Sequence, residues 1–404
     1  MKIVGIVSEY NPFHNGHAYQ IEHTKEQLQA DGVIAIMSGH FVQRGTPAIF
    51  DKWTRAEMAV ASGANLVLEL PTYYATSSAE AFAHGAVKLL DATGVVTHIS
   101  FGSENDDLER LKSIAYILSD ESDALKDKLT AYMAQGNTFP KARELALKSL
   151  FPDLLEDFNM NQSNAILVIE YLKALNRLKS SINPFIVKRK GRGYHDTALN
   201  DRFASATGIR EGVKTGKAIN RYMPDAAYQI FSKTKYNPVF MEHLELPLLY
   251  KIKSSSLDDL SQIREMTEGL EHKIHKLAPA LTSYEALFEA LKSKRYTHTK
   301  ISRLLLNILL DIKEPFQFYD EDHYFRVLAF DEVGQKIIRQ IKKNGYYPLI
   351  TNINTYKREN ALLNLDLKAT DIYYLSQDDV IHRKGGLDYL KKPYIHRRHD
   401  EENI

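Results

Sequence analysis

Short apolar runs alternate with amphipathic stretches through the first hundred residues, the pattern of a parallel sheet covered by helices. Residues 2–8 predict the first strand, and a turn-rich loop over 11–16 leads into a helix on which Ala18, Ile21 and Leu28 keep near-helical spacing up to Asp31 and Gly32. The second strand is predicted over 33–37 and the third over 66–70, stopped by Pro71, with a fourth over 98–101. Between them, 51–62 predicts a helix ending at Gly63, and Ser77 with Glu80 predicts a capping box for a helix running to Asp91. Right-handed crossovers would line up the loops after these strands along one edge, where ligands of open α/β sheets bind.

From 107 to about 178 the pattern turns helical, an insertion broken at Gly136, at Pro140 and in a polar cluster over 159–164. A fifth strand is predicted over 185–189 and a loop passing into a helix over 204–216. Beyond a linker at 233–238, long helical stretches over 257–270 and 301–312 precede a mixed tail. The expected organisation is an α/β domain over 1–235 with the helical insertion, then a mostly α C-terminal domain over 236–404. No internal repeat or low-complexity segment is evident.

Composition narrows the chemistry. The chain has 404 residues and no cysteine, which excludes disulfide frameworks, thiolate metal sites and a cysteine nucleophile. Apolar runs such as 32–37 stop far short of the ~18 residues of a spanning helix, and no apolar signal core follows Met1, so the expected location is the cytoplasm, away from membranes. Fifty-two basic residues against fifty-one acidic leave any polyanion partner to be met by local patches, and nothing in the pattern calls for an obligate protein partner.

The most informative segment is Glu9-Tyr10-Asn11-Pro12-Phe13-His14-Asn15-Gly16-His17, between the first strand and the first helix. A helix N-terminus offers unpaired N–H donors, Gly16 permits close backbone approach and two imidazoles add donors, so phosphate is the natural guest. Alone, His14 and His17 would equally suit turn and cap positions; as a zinc site the pair supplies only two ligands. Downstream, Ser205 or Thr207 reads on its own as a helix cap and Arg210 as a solvated cation. Neither G-x-G-x-x-G nor a Walker A sequence follows the first strand.

His14-Asn15-Gly16-His17 resembles the H-x-G-H signature of the nucleotidyltransferase superfamily, and Ser205-Ala206-Thr207-Gly208-Ile209-Arg210 resembles its S-S/A-T-x-I-R motif. The whole chain resembles the bacterial tRNA(Met) cytidine acetate ligase family, through EYNPFHNGH at 9–17, MSGHFVQRGTP at 37–47, FGSEN at 101–105, YHD at 194–196 and ASATGIR at 204–210, with GLEH at 269–272 and KRYT at 294–297 extending the likeness. The resemblance implies a Rossmann-like nucleotidyltransferase fold. It also implies an ATP-dependent ligase that makes acetyl-adenylate, releases pyrophosphate, and passes acetyl to N4 of the wobble cytidine of elongator tRNA(Met), with Mg2+ as bridging ion. His14 and His17 would steady the α-phosphate, and Ser205, Thr207 and Arg210 the leaving pyrophosphate. The ATP site would comprise Val7, Ser8, Glu9, Tyr10, Asn11, Pro12, Phe13, His14, Asn15, Gly16, His17, Ala18, Tyr19 and Gln20, with Gly102, Asn164 and Arg189. Ser163-Asn164-Ala165 departs from the Pro-Asn-Asn expected in relatives.

For acetate and cytidine, the polar loop after the second strand offers His40, Gln43 and Arg44, although a surface loop that touches no ligand fits the same residues. Basic patches beside aromatics suit RNA: 188–192, Lys292, Lys294 and Arg295 next to Tyr296, 342–347, and Lys391, Lys392, Arg397 and Arg398 around Tyr394. Solvated charged faces would look the same. His272 and His275 read as a helix face, since the H-E-x-x-H order is missing. Two rival functions share these features: a cofactor-making nucleotidyltransferase acting on a small phosphate ester, and a non-catalytic RNA- or nucleotide-binding module.

Overall fold

The computed structural model describes residues 1–156, 158, 163–189 and 203–397. Ten strands are described: β1 (Ile3–Ser8), β2 (Gly32–Ser38), β3 (Phe41–Val42), β4 (Thr46–Pro47), β5 (Leu66–Leu70), β6 (Val96–Ser103), β7 (Asn183–Lys188), β8 (Phe325–Phe330), β9 (Leu349–Ile350) and β10 (Tyr394–Ile395). Eight build one sheet in the order β10-β8-β5-β2-β1-β6-β7, with β9 also on β8, while β3 and β4 form a small hairpin. Every pairing in the large sheet is parallel except β5 with β8. The buried strands β2 and β5 are apolar along most of their length because both faces are covered, with Glu69 the charged exception in β5.

Helices cross over between the strands: α1 (Asn15–Leu28), α2 (Lys52–Ala61), the short α3 (Thr72–Ala75) and α4 (Ala79–Ala92). Asp51 caps α2, accepting from the N–H groups of Trp53 and Thr54 at 3.0 Å each. The expected Ser77–Glu80 capping box does not form. Ser78 is the cap of α4, Ser77 Oγ donates back to Tyr73 O, and Glu80 is drawn instead to Lys173 and Arg177.

The helical insertion comprises α5 (Leu108–Ser119), α6 (Asp123–Ala134), α7 (Phe139–Leu150) and α8 (Ser163–Leu178), and α8 delivers the chain to β7. Gly136 separates α6 from α7 as expected, whereas Pro140 sits in the first turn of α7, where its missing N–H leaves no bond unmade. After β7, α9 (Ala206–Lys214) opens the second phosphate motif. The continuous helix expected over 257–270 is broken into Leu257–Ser261 and Leu270–Leu277. Between them Glu265, Glu268 and Gly269 take positive φ, and Ile263 bridges to Lys313.

The C-terminal half is joined to the sheet more closely than a run of helices and a mixed tail implies. β8, β9 and β10 complete the sheet beside β5. Lys52 Nζ, fully buried, lies 2.8 Å from Glu69 Oε1 on β5 and 2.9 Å from Asp388 Oδ1 near the C-terminus. Burial opposes its charge, but Asp388 and Glu69 outweigh that and hold the ammonium above its ordinary pKa. Among the described residues no helix is long and apolar enough to cross a membrane.

Candidate nucleotide site

At the end of β1 the chain turns over the C-terminal edge of the sheet and enters α1 with His14 as its N-cap, φ −143° and ψ 173°. His14 Nδ1 accepts the Gly16 N–H at 3.0 Å, and His17 Nδ1 accepts the His14 N–H at 3.2 Å. Two histidines thus close the reciprocal box that Ser and Glu usually make. Their rings stack with centroids 3.7 Å apart and 20° between planes. Because each Nδ1 is an acceptor, each neutral ring carries its proton on Nε2. Burial first, then Arg189 and Arg210, push the His14 pKa down to about 3. Burial, then His14 and Arg189, hold His17 well below its ordinary value. The pair is therefore uncharged at neutral pH, with two Nε2–H donors. A Cβ on Gly16 would lie 2.9 Å from His14 Cε1, so the glycine makes room for the imidazole ring itself.

The second motif starts α9 in the same manner. Ser205 is its N-cap and accepts from Gly208 N–H at 3.0 Å. Arg210 Nη2 donates to Thr207 Oγ1 and Nη1 to the Asn11 carbonyl, both at 2.9 Å. The guanidinium thereby ties the two motifs together, 199 residues apart in the chain.

Two cavities meet at the imidazole pair. The first lies between the N-termini of α1 and α9 and the ends of β6 and β7, lined by His14, Gly16, His17, Tyr19, Gln20, Gly102, Val187, Arg189, Phe203, Ala204 and Ser205. The second shares His14, His17, Gln20, Gly102 and Arg189, then runs across the end of β1 to Val7, Ser8, Glu9, Tyr10, Asn11, Gln43, Asn164 and Ala206, with Phe82, Phe101, Leu167, Val168 and Tyr171 as its apolar wall. Pro12, Phe13, Asn15 and Ala18 line neither. Phe13 is fully buried in the core, and Asn15 Nδ2 donates to Arg221 O at 2.9 Å. Thr207 and Arg210 also stand outside both linings. A Cβ on Gly102 would press against Arg189 Cγ at 3.3 Å, so the strand end is bare where Arg189 crosses it.

Sequence reasoning missed several residues here. Glu104, within the FGSEN block, accepts from Asn164 Nδ2 at 2.5 Å and lies 4.0 Å from Arg189 Nε, ordering both. Arg55, buried in α2, donates to the carbonyls of Glu9, Ser38, Gly39 and Phe50 and pins the loops after β1 and β2. An arginine on an amphipathic helix gives no sequence sign of that role. The aromatic wall could have been suspected only from Phe101 beside Gly102.

Of the residues expected to meet acetate or cytidine, Gln43 reaches the second cavity. His40 is 1% exposed, caged by Trp53, Tyr373 and Tyr374, with Nδ1 3.2 Å from Thr370 Oγ1. Arg44 lies in neither lining but is close enough to His298 to lower that pKa, after burial and Lys292. Lys292, Lys294 and Arg295 are exposed, and Arg295 Nη1 lies 3.6 Å from Glu268. Lys391 Nζ sits 5.6 Å over the Trp53 ring, and Lys392 and Arg397 are exposed. Arg398, residues 190–192 and the YHD block fall outside the described residues. Among the described residues no group of three or more His, Asp or Glu could hold a metal ion.

The HIGH Nucleotidyl Transferase family matches residues 1–387. The tRNA(Met) cytidine acetate ligase of Thermoanaerobacter sp. (strain X514) is 44% identical over 399 residues, covering 96% of this chain and 98% of the relative. That of Caldanaerobacter subterraneus subsp. tengcongensis is 45% identical over 385 residues, covering 93% and 96%. Crystal structures of Thermotoga maritima TmcAL superpose at 35% identity over 98% of this chain and 99% of theirs, with TM-score 0.92 for the apo form and 0.90 for the form bound with alpha-thio ATP.

Proposed function

Since this chain belongs to the HIGH Nucleotidyl Transferase family and, within it, to the tRNA(Met) cytidine acetate ligases, we propose that it acetylates the wobble cytidine of elongator tRNA(Met) from acetate and ATP. An acetate oxygen attacks the α-phosphorus in line with the departing pyrophosphate, giving acetyl-adenylate. The N4 amine of the cytidine then takes the acetyl group and AMP leaves.

The observation that carries this reading is the stacked, neutral His14–His17 pair at the start of α1, its two Nε2–H donors set at the junction of two cavities. Such donors stabilise charge growing on the α-phosphate oxygens without needing a covalent nucleophile. Arg189 adds positive charge beside them, and the N-termini of α1 and α9 turn their positive dipole ends to the phosphates. Ser205, Thr207 and Arg210 receive the pyrophosphate, Arg210 exchanging its tie to Asn11 for a phosphate oxygen. Magnesium belongs to this proposal as the ion that arrives with the triphosphate, held by phosphate oxygens and water, because imidazole and guanidinium groups are not ligands for a hard cation. The exposed Lys292, Lys294 and Arg295 patch, and Lys391, Lys392 and Arg397, hold the RNA.

Acetate-dependent exchange of labelled pyrophosphate into ATP tests the first step, and incubation with acetate, ATP and bulk tRNA followed by nucleoside mass analysis tests the second. N4-acetylcytidine is the expected product. Exchange that depends on a small phosphate ester instead of acetate would assign a cofactor-making transferase, and binding without exchange a non-catalytic module.

A further inference from the structure

The two cavities that meet at the imidazole pair differ in chemistry. The first is bounded by two helix N-termini, whose positive dipole ends favour phosphate. The second carries a carboxylate, Glu9, with Gln43 beside it and Phe82, Phe101, Leu167 and Tyr171 as an apolar wall. A carboxylate repels a triphosphate, whereas an uncharged ring bearing an N–H donor suits it. Tyr171 lies nearly parallel to Phe101, 18° between planes and 6.0 Å between centroids, a flat boundary for such a ring.

Glu9 is held from two sides. Its Oε1 accepts the backbone N–H of Gln43 at 3.0 Å, and its own carbonyl accepts from Arg55 Nη1 at 2.5 Å. Gln43 Nε2 donates to Ser77 O at 3.2 Å, which fixes the amide so that Oε1 is its acceptor. Glu9 and Gln43 both line the second cavity, and with Glu9 Oε1 and Gln43 Nε2 engaged, Glu9 Oε2 and Gln43 Oε1 are the acceptors these two side chains have left to offer. An exocyclic amine offers two N–H donors to match them, and the keto oxygen of uridine offers none.

We propose that Glu9 is the base of the acetyl-transfer step and that Glu9 and Gln43 together select the N4 amine of cytidine; this rests on the acetate-ligase reading above. The N4 lone pair attacks the acetyl carbonyl carbon and forms the C–N bond, while the N4 proton passes to Glu9 Oε2. The bond from that carbon to the AMP oxygen breaks, AMP leaves with the electron pair and the carbonyl re-forms. Glu9 then releases its proton to solvent. Arg55 is a positioning residue, since it acts on Glu9 through the backbone.

Synthetic acetyl-adenylate added to the full-length enzyme with tRNA isolates this step from ATP. Glu9→Gln keeps the bond to the Gln43 N–H but removes the proton acceptor, and general bases typically contribute ~10²–10⁴-fold. Transfer from supplied acetyl-adenylate should fall at least about a hundredfold, more than acetate-dependent exchange falls, and the acid limb of the wild-type transfer pH profile should vanish. Glu9→Asp should recover part of the rate and the acid limb. Transfer by Glu9→Gln within threefold of wild type, or an equal loss of transfer and exchange, would overturn the assignment. A wild-type enzyme that transfers from supplied acetyl-adenylate but lacks acetate-dependent exchange would overturn the ligase reading and leave Glu9's role standing.

Discussion

His14 and His17 each spend Nδ1 on a backbone N–H, and burial keeps both rings neutral where a cation would be the obvious partner for phosphate. The positive charge is supplied separately by Arg189 and Arg210, whose fields lower the imidazole pKa further. Replacing His17 with alanine is expected to slow acetate-dependent pyrophosphate exchange by about a hundredfold, the usual loss for one transition-state donor. His14 is 5% exposed and caps α1, so alanine there should also cost roughly 1 kcal/mol of stability, while His14→Asn keeps a cap and loses only the Nε2–H. Neutrality has a sign that calorimetry can check. Below the ordinary pKa of 6.5 the unfolded chain binds a proton on residue 14 that the fold refuses, so stability present above that pH is lost as pH falls toward about 3. Proton uptake on unfolding at pH 5 should drop by about one when His14 becomes Asn. An unchanged uptake would mean that His14 is charged in the fold.

At the scale of elements, the site is two capped helix starts, α1 and α9, clamped by Arg210 between Thr207 and the Asn11 carbonyl. If that clamp opens to hold the departing phosphates, Thr207→Ala and Arg210→Ala should weaken ATP by tenfold or so (~1.4 kcal/mol) and AMP far less. Equal losses for the two nucleotides in calorimetric titrations would make Arg210 only a brace of the loop. Much of this was legible beforehand because it is local: alternating apolar runs located β1, β2, β5, β6 and β7, and the two phosphate motifs stood at the starts of α1 and α9. What was not legible is long-range. Phe325–Phe330 reads as one more apolar run in a mixed tail, and only its pairing with Leu66–Leu70 makes it part of the sheet. The break at 262–269 comes from positive-φ residues and a bridge to Lys313, which helical periodicity does not register. His40 looked like a loop donor by its polarity, yet Thr370, Tyr373 and Tyr374, more than three hundred residues on, enclose it.

For the molecule as a whole, the parts after residue 236 are bound to the site from two directions. The Lys52–Glu69–Asp388 cluster ties the C-terminal segment to the end of β5. Asp388→Asn strands a buried ammonium against one carboxylate, and unfolding in denaturant should show a loss of roughly 3–5 kcal/mol. The exposed Arg295–Glu268 pair should contribute almost nothing by the same measure. From the other direction, Gly45 packs so closely on the chain at Ser302 and Arg303 that a Cβ would lie 2.3 Å from the Arg303 N, and Arg44 acts on His298. The loop carrying Gln43 into the second cavity is thus seated on the region that presents Lys292, Lys294 and Arg295. RNA held by that patch would lie on the region against which the Gln43 loop is seated. Charge reversal at Lys294 and Arg295 should therefore depress tRNA acetylation far more than acetate-dependent exchange, because exchange needs no RNA. It should also flatten the fall of log affinity with log salt by about 0.9 for each duplex phosphate that is no longer neutralised, or ~0.7 on a single strand. A variant with unchanged tRNA affinity and unchanged salt slope would move the RNA off this face, and the seating of the Gln43 loop would then serve only to fix the cavity wall.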